Sequence, residues 1–414
     1  MTTSALDMTA QRPDASTLPR ILLAGAVPGE AAGNSVSSSV LLSALSAIGD
    51  VGQLSHDIEL IPRYREVEYG HRRHMRLGTQ PFSAHGEALL AGLLFRRHLS
   101  SWECAWAVNS RYAGSLRAAG IPYIIWEATT LRDELRAIDS AAVRRAGTGT
   151  GLGATIHRAL LPLGERIEGA LYRGAACLLA MSEHTRACMI ATHNLSQSSV
   201  RLLPHPPSPA FLEALKSTPD RGTAEAHGKA SVCRLLFVGR VDDNRKNFPL
   251  LLEALTILNR GGIDARLSVV GPHTEQWRRS LEDPIRNGTV TYMGRITVSA
   301  LAAAYRAHDV LALPSRQEGF GIVVAEAMHA GLPVVSTRCG GPEQVIRESQ
   351  AGLLVDHDPD AMAAAIATLI HEPDRRKEMG RQGVEYANRV LSLEAFSSAV
   401  KSITEQVLRS TGER

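Results

Sequence analysis

Short apolar runs that read as strands alternate with helical patterns along most of the chain, and this alternation constrains the fold more than any other feature. "RILLAGAV" at Arg20–Val27 leads into a Pro-Gly turn, a small-residue loop and the helical pattern "NSVSSSVLLSALSAIG", which Gly49 ends. "WECAWAVN", "PYIIWE", "ACLLAMS" and "VRLLPHP" continue the series. Between Pro207 and Lys229 the chain turns polar and proline-rich, the composition of a linker. After it the pattern restarts with "RLLFVGRV", the helix "FPLLLEALTILNRGG", and the strands "RLSVVG", "VTYMG", "DVLALPS" and "LPVVST". Strands separated by helices predict parallel sheets covered on both faces. The sequence therefore predicts two α/β domains, residues 1–206 and 231–390, joined by a linker at 207–230. A closing amphipathic helix at 391–414 is expected to pack on the core.

The composition is that of a globular protein: 44% hydrophobic and 21% charged residues over 414 positions. A net charge of +3 and 5% aromatics speak against nucleic acid as a partner. Five cysteines without a C-x-x-C pair support neither zinc nor a disulfide framework, and fit a reducing interior. No apolar run approaches the ~20 residues of a membrane span. Residues 1–19 carry no apolar signal core and read as a disordered lead-in. A cytoplasmic location is expected, with peripheral contact at the inner membrane face as a further expectation.

Parallel sheets bind ligands at the carboxyl ends of their strands, so the chemistry is sought in the loops there. "EGFGIVVAEAMHAGLPVV" at Glu318–Val335 follows the strand "DVLALPS". Gly319 and Gly321 let backbone approach a ligand, and a helix start offers unpaired N–H groups to phosphate or sugar oxygens. Glu318 in the loop and Glu326 within the helix are acceptor-only groups suited to hydroxyl donors. "FVGRVDDNRKN" at Phe237–Asn247 puts Arg240 and Lys246 after another strand, where two cations suit a diphosphate. The chain has only five lysines, which makes Lys246 less a matter of chance; Arg245 competes for the same role, and a solvated basic turn is the alternative. A third strand end, Gly294-Arg295-Ile296, suits a flat base edge or is an ordinary turn.

In this order the three pieces resemble the retaining glycosyltransferases of family 4, with their two facing Rossmann-like domains (the GT-B fold). The resemblance rests on "FVGR…KN", "HDVLALPS", "EGFG…AEAM", "GLPVV", "GGPEQVI" and "AGLLV" between Leu235 and Ile370, and is weaker over the first 206 residues. It implies that Arg240 and Lys246 hold the donor diphosphate, and that Glu318 with the backbone of Gly319, Phe320 and Gly321 holds the donor sugar. By the same resemblance Glu326 takes the ribose hydroxyls, Ile296 beyond Gly294 lies near the base, and no metal or cofactor is needed. The implied activity is hexose transfer, with retention, from a UDP- or GDP-linked sugar to a glycan, glycolipid or metabolite acceptor in bacterial surface polysaccharide synthesis.

The chain departs from the family pattern in three places, one of them the spacing from Arg240 to Lys246, a residue longer than is common in the family. The first N-terminal loop has Gly33 followed by Asn34 instead of two glycines, and the middle N-domain strand ends in Trp126-Glu127 where a histidine is common. Glu127 is expected to take a polar role against the sugar. The stretch Arg63–His98, with seven arginines against three glutamates, reads as a solvated basic face or as a surface for an anionic acceptor or membrane. Other readings of the whole chain are a nucleotide-sugar epimerase or phosphorylase on the same fold, and a non-catalytic nucleotide-sugar-binding protein.

Overall fold

The computed structural model describes residues 18–25, 33–58, 64–69, 72–79, 96–134, 136, 152–219, 232–272, 274, 277, 279 and 281–412. The lead-in at 1–17 lies outside the described residues, as do the side chains of most of Arg63–His98.

The first domain is built on β1 (Arg20–Ala24), β2 (Asp50–Ile58), β3 (Tyr64–Tyr69), β4 (Arg72–Thr79), β5 (Cys104–Val108), β6 (Tyr123–Glu127), β7 (Cys177–Ala180) and β8 (Val200–Leu202). Their order in the sheet is β3-β4-β2-β1-β5-β6-β7-β8, and every pairing is parallel except the β3–β4 ribbon at the edge. Its helices are α1 (Gly33–Leu45), α2 (Ala113–Ala119), α3 (Leu152–Gly174) and α4 (Glu183–His193). Every residue of β5 and β6 is buried, which is why these strands read as unbroken apolar runs. The edge ribbon falls within the arginine-rich stretch; its polar alternation gave no apolar strand signal.

Part of the expected linker is a helix, α5 (Pro209–Ser217). Ser208 caps it by accepting from the Phe211 N–H at 3.2 Å, and Pro209 supplies the first-turn geometry. Phe211 meets Tyr305 edge-on at 5.5 Å, so α5 is packed against the second domain.

That domain carries β9 (Cys233–Val238), β10 (Ala265–Val270), β11 (Val290–Gly294), β12 (Val310–Leu313), β13 (Val334–Thr337) and β14 (Gly352–Val355), all parallel, in the order β11-β10-β9-β12-β13-β14. Around them lie α6 (Phe248–Arg260), α7 (Val298–Ala307), α8 (Ile322–His329), α9 (Gly341–Ser349), α10 (Pro359–His371) and α11 (Pro373–Val390). In each sheet the strand order reverses once, between β1 and β5 and between β9 and β12. Such switch points open a crevice at the carboxyl ends of the strands.

The last helix, α12 (Leu393–Gly412), runs back to the first domain. Phe396, Val400, Ile403 and Val407 form its buried stripe. Phe396 packs on Trp126 at 5.0 Å, and Thr404 accepts from the indole N–H of Trp106 at 3.0 Å. One apolar core joins α12, a face of the first sheet and a face of the second. Among the described residues, no helix is long and apolar enough to cross a membrane.

Candidate active site

The loop after β9 folds around one carboxylate. Asp243 caps the 3-10 turn Asn244–Lys246 by accepting from the Arg245 N–H at 3.0 Å. Both its oxygens also accept from the Arg245 guanidinium, at 3.1 and 2.8 Å, and Arg240 adds a bond at 2.8 Å. Burial opposes ionisation of Asp243, yet these bonds hold its carboxyl down at about 2. Arg245 is therefore engaged within its own turn. Arg240, with its side chain 53% exposed, is the more accessible cation.

Lys246 points the other way, across the switch point. Its Nζ donates to Oε1 of Glu318 at 2.7 Å, and the Ser315 hydroxyl donates to the same oxygen at 2.6 Å. Glu318 is itself clamped by its backbone: its N–H donates to the Cys339 carbonyl at 2.8 Å and its carbonyl accepts from the Gly341 N–H at 2.9 Å. The two loops at the reversal of the strand order are thus tied by a carboxylate–ammonium pair, with neither side chain more than 19% exposed.

Beyond Glu318 the chain must pass very close to the first domain. A Cβ on Gly319 would sit 2.3 Å from the carbonyl oxygen of Ala128, which follows β6. The Gly319 carbonyl accepts from Ser182 Oγ at 2.7 Å and from Thr185 Oγ1 at 3.3 Å, both at the start of α4. Gln317 donates to Thr129 and Asp133 of the loop after β6, at 3.1 Å each. The carboxyl ends of the two sheets therefore meet at this loop. Gly321 then caps α8 with φ +84°, a left-handed conformation that favours glycine.

Glu326 lies inside α8, buried, accepting from the Tyr305 hydroxyl at 2.7 Å. Burial pushes its carboxyl up to about 7. Phe320 is buried at the junction, its ring 6.2 Å from that of His205. His205 stacks on Trp126 at 4.9 Å and bridges the Pro206 carbonyl (2.6 Å) and the Ser37 hydroxyl (2.9 Å). Burial holds it neutral, with a pKa near 4, so one ring nitrogen donates to the carbonyl and the other accepts from Ser37. This buried histidine links α1, which Gly33 begins, to the loop holding Phe320. Sequence reasoning assigned no role to His205, Ser182, Thr185, Ser315, Tyr305 or Gln317. The one available signal was "LLAMSEHTR", a strand followed by a Ser-x-x-Thr helix start.

Gly294 ends β11 with φ +67°, and its carbonyl accepts from the Gly271 N–H at 2.9 Å. Ile296 is partly buried against the shared core. These residues line the strand ends on the β10 side of the switch point, roughly 10 Å from β9 at ordinary strand spacing.

Glu127 is placed apart from this group. Its side chain turns beneath α3, 1% exposed, where Oε2 accepts from the Ser110 N–H at 2.8 Å and the Tyr172 hydroxyl at 2.9 Å. Glu168 lies beside it, bonded to His193 at 2.8 Å and to the Leu131 N–H at 3.0 Å. Burial, then the neighbouring Glu168 charge, pushes the Glu127 carboxyl up to about 7. In this arrangement Glu127 ties the end of β6 to the turn after β5 and to α3, while Trp126 occupies the opposite face of the strand.

Two Rossmann-like domains whose carboxyl ends meet define the GT-B fold. Residues 233–372, about a third of the chain, match the sequence profile of the family described as Glycosyl transferases group 1. A D-inositol 3-phosphate glycosyltransferase of Pseudarthrobacter chlorophenolicus is 31% identical over 249 residues, which cover 56% of this chain and 58% of that protein. A phosphatidyl-myo-inositol mannosyltransferase of Mycobacterium leprae is 32% identical over 44% of this chain and 48% of its own length. The matches thus span about half the length of these curated relatives. Among solved structures, the sucrose-phosphate synthase of Thermosynechococcus elongatus superposes with a TM-score of 0.70 at 20% identity, over 95% of this chain and 100% of that one. The Anabaena protein HepE in complex with UDP gives 0.67 at 14% identity, over 94% and 100% of the two chains.

Proposed function

We propose that the protein transfers a hexose from a nucleotide-diphosphate sugar to a hydroxyl acceptor, retaining the anomeric configuration and using no metal. The observation that carries this reading is the Lys246–Glu318 contact across the β9/β12 switch point. A sugar diphosphate in that crevice offers hydroxyls to Glu318 and anionic oxygens to Lys246 and Arg240, so each partner of the pair has its own part of the donor. Glu326 and the left-handed Gly321 at the start of α8 suit the ribose and the phosphates. The UDP of the HepE complex and the family profile matched by residues 233–372 favour a nucleotide in this domain.

In the reaction the bond between the anomeric carbon and the diphosphate oxygen breaks, and its electron pair leaves with the nucleoside diphosphate. Arg240 and Lys246 neutralise that developing charge. The acceptor oxygen bonds to the anomeric carbon from the same face, and its proton passes to the departing phosphate oxygen. The contacts of Gly319 with Ser182 and Ala128 keep the two domains together around this centre, which limits hydrolysis by water. Glu127 has no part in these steps. The relatives' names make D-inositol 3-phosphate the first acceptor to test; a lipid-linked acceptor in surface polysaccharide or glycolipid assembly at the inner membrane face is the second.

The test is a melting screen against UDP-, GDP-, ADP- and TDP-sugars, followed by turnover with and without EDTA. A donor at about 100 times its Kd adds ~2.7 kcal/mol and raises Tm by a few degrees. One nucleotide class is expected to stabilise the protein, the shift is expected to shrink in Glu326→Ala, and turnover is expected to persist in EDTA. Donor binding without transfer to any acceptor would leave a nucleotide-sugar-binding protein instead.

A further inference from the structure

Beside the glycine loop, but outside the donor site, three groups with metal-ligating atoms converge. His184 Nε2 lies 3.1 Å from Asp133 Oδ2 and 3.7 Å from Cys188 Sγ, and the three atoms all fall within 4.8 Å of one another. His184 and Cys188 are four residues apart on α4, so one helix face presents both, while Asp133 comes from the helical turn at 131–134 that follows β6. All three are partly buried rather than spread over open surface. A tetrahedral zinc ion, with bonds of about 2.0–2.3 Å to nitrogen, oxygen and sulfur, holds its ligand atoms roughly 3–4 Å apart. Two of the contacts already have that spacing, and the third lies within 4.8 Å.

A fourth group comes from the other domain. The Gln317 amide touches Asp133 Oδ2 at 3.1 Å, next in sequence to Glu318. Turning that amide over would bring its carbonyl oxygen to the position its nitrogen now holds, an exchange of two nearly isosteric ends. The Thr129 hydroxyl also donates to Asp133 Oδ2, at 3.4 Å.

We propose that Asp133, His184 and Cys188 form a site for a thiophilic divalent cation such as zinc, completed by the Gln317 oxygen, so that the bound ion fastens the two domains to each other beside the active-site loop. The ion takes the place of the hydrogen bond between Asp133 and His184. Its ligands act as carboxylate, neutral imidazole and thiolate, so protons leave on binding and affinity falls as pH falls. The inference does not depend on the transfer reaction.

The experiment uses the full chain, stripped with chelator and titrated with Co2+, followed by displacement with Zn2+. The expected result is one cobalt ion per chain with tetrahedral visible bands and a near-ultraviolet thiolate charge-transfer band, all lost when zinc is added. Cys188→Ser is expected to remove the charge-transfer band, and His184→Gln to weaken binding about 10-fold or more, the scale on which even supporting residues of metal sites count. Gln317→Ala is expected to weaken binding and leave the band in place; unchanged affinity there would remove the interdomain ligand. The proposal is overturned if no 1:1 cobalt spectrum forms, or if the charge-transfer band survives in Cys188→Ser. Circular dichroism of each variant separates loss of the site from loss of the fold.

Discussion

At the scale of single residues, Lys246 and Glu318 form the pair whose removal is most informative. Lys246→Ala and Glu318→Gln are each expected to lower kcat by about 10²–10³, the cost of losing one preorganised charge contact. The double variant should lose much less than the product of the two, because the partners act as a unit; full additivity in steady-state kinetics would mean that they work separately. Glu127 and Glu326 lead to a different prediction. Both carboxyls are buried with pKa raised from 4.5 to about 7. The folded state therefore holds protons that the unfolded state releases, so this contribution to stability is complete below about pH 4.5 and is lost as pH rises through 7. At about 1.4 kcal/mol per pKa unit, each acid costs on the order of 3–4 kcal/mol by pH 8. Glu127→Gln, whose amide oxygen still accepts from Ser110 and Tyr172, is expected to flatten the fall in urea midpoint between pH 5 and 8 and to leave kcat nearly unchanged. A large loss of kcat with an unaltered pH profile would return Glu127 to the chemistry. The sequence announced Glu318, Lys246 and the glycines because they sit in one short loop each, where spacing determines placement. It did not announce the direction of Glu127, since "PYIIWE" is buried on both faces and alternation cannot tell the cleft side from the helix side.

Among elements, the loop from Ser315 to Gly321 is the tightest constraint. Backbone oxygens, not flexible side-chain ends, stand where a Cβ on Gly319 would go. Gly319→Ala is therefore expected to push this loop away from Ala128 and Ser182, costing about 1–3 kcal/mol as an overpacked contact does. Turnover should fall while the Glu326-dependent melting shift from a donor nucleotide largely remains; a variant with wild-type kcat would show that this close approach is not needed for transfer. Most strands of the second domain were legible as short apolar runs between glycine turns, and of its helices α6 and α8 were legible. The helix α5 was not, because its two buried residues, Phe211 and Leu215, are too few to stand out from prolines and polar neighbours. The β3–β4 ribbon was hidden for the opposite reason: an edge pair needs no apolar face, and arginine alternating with glutamate and tyrosine reads as surface.

Over the whole molecule, the two sheets share a core with α12. Thr404 is 1% exposed, and its hydroxyl is the acceptor for the Trp106 indole N–H. Thr404→Val keeps the shape and leaves that donor unsatisfied, at an expected cost of about 1–3 kcal/mol. The Tm should drop by a few degrees in a single transition, seen alike by tryptophan fluorescence and circular dichroism. Two separated transitions would show instead that the shared core does not couple the domains. Two domains were legible in the sequence, as was a closing amphipathic helix. Where that helix docks was not, since a stripe of Phe396, Val400, Ile403 and Val407 specifies an apolar partner without saying which one. The return of α12 to the first domain also has a consequence for how the protein is made. A helix synthesised long after the first domain packs on that domain. From the completion of β6 to the emergence of α12, roughly 13–50 s pass at ~5–20 residues per second. Throughout that interval Trp106 lacks its contact with Thr404 and Trp126 its contact with Phe396, so the nascent chain presents aromatic surface that a ribosome-associated chaperone is suited to shield until α12 emerges.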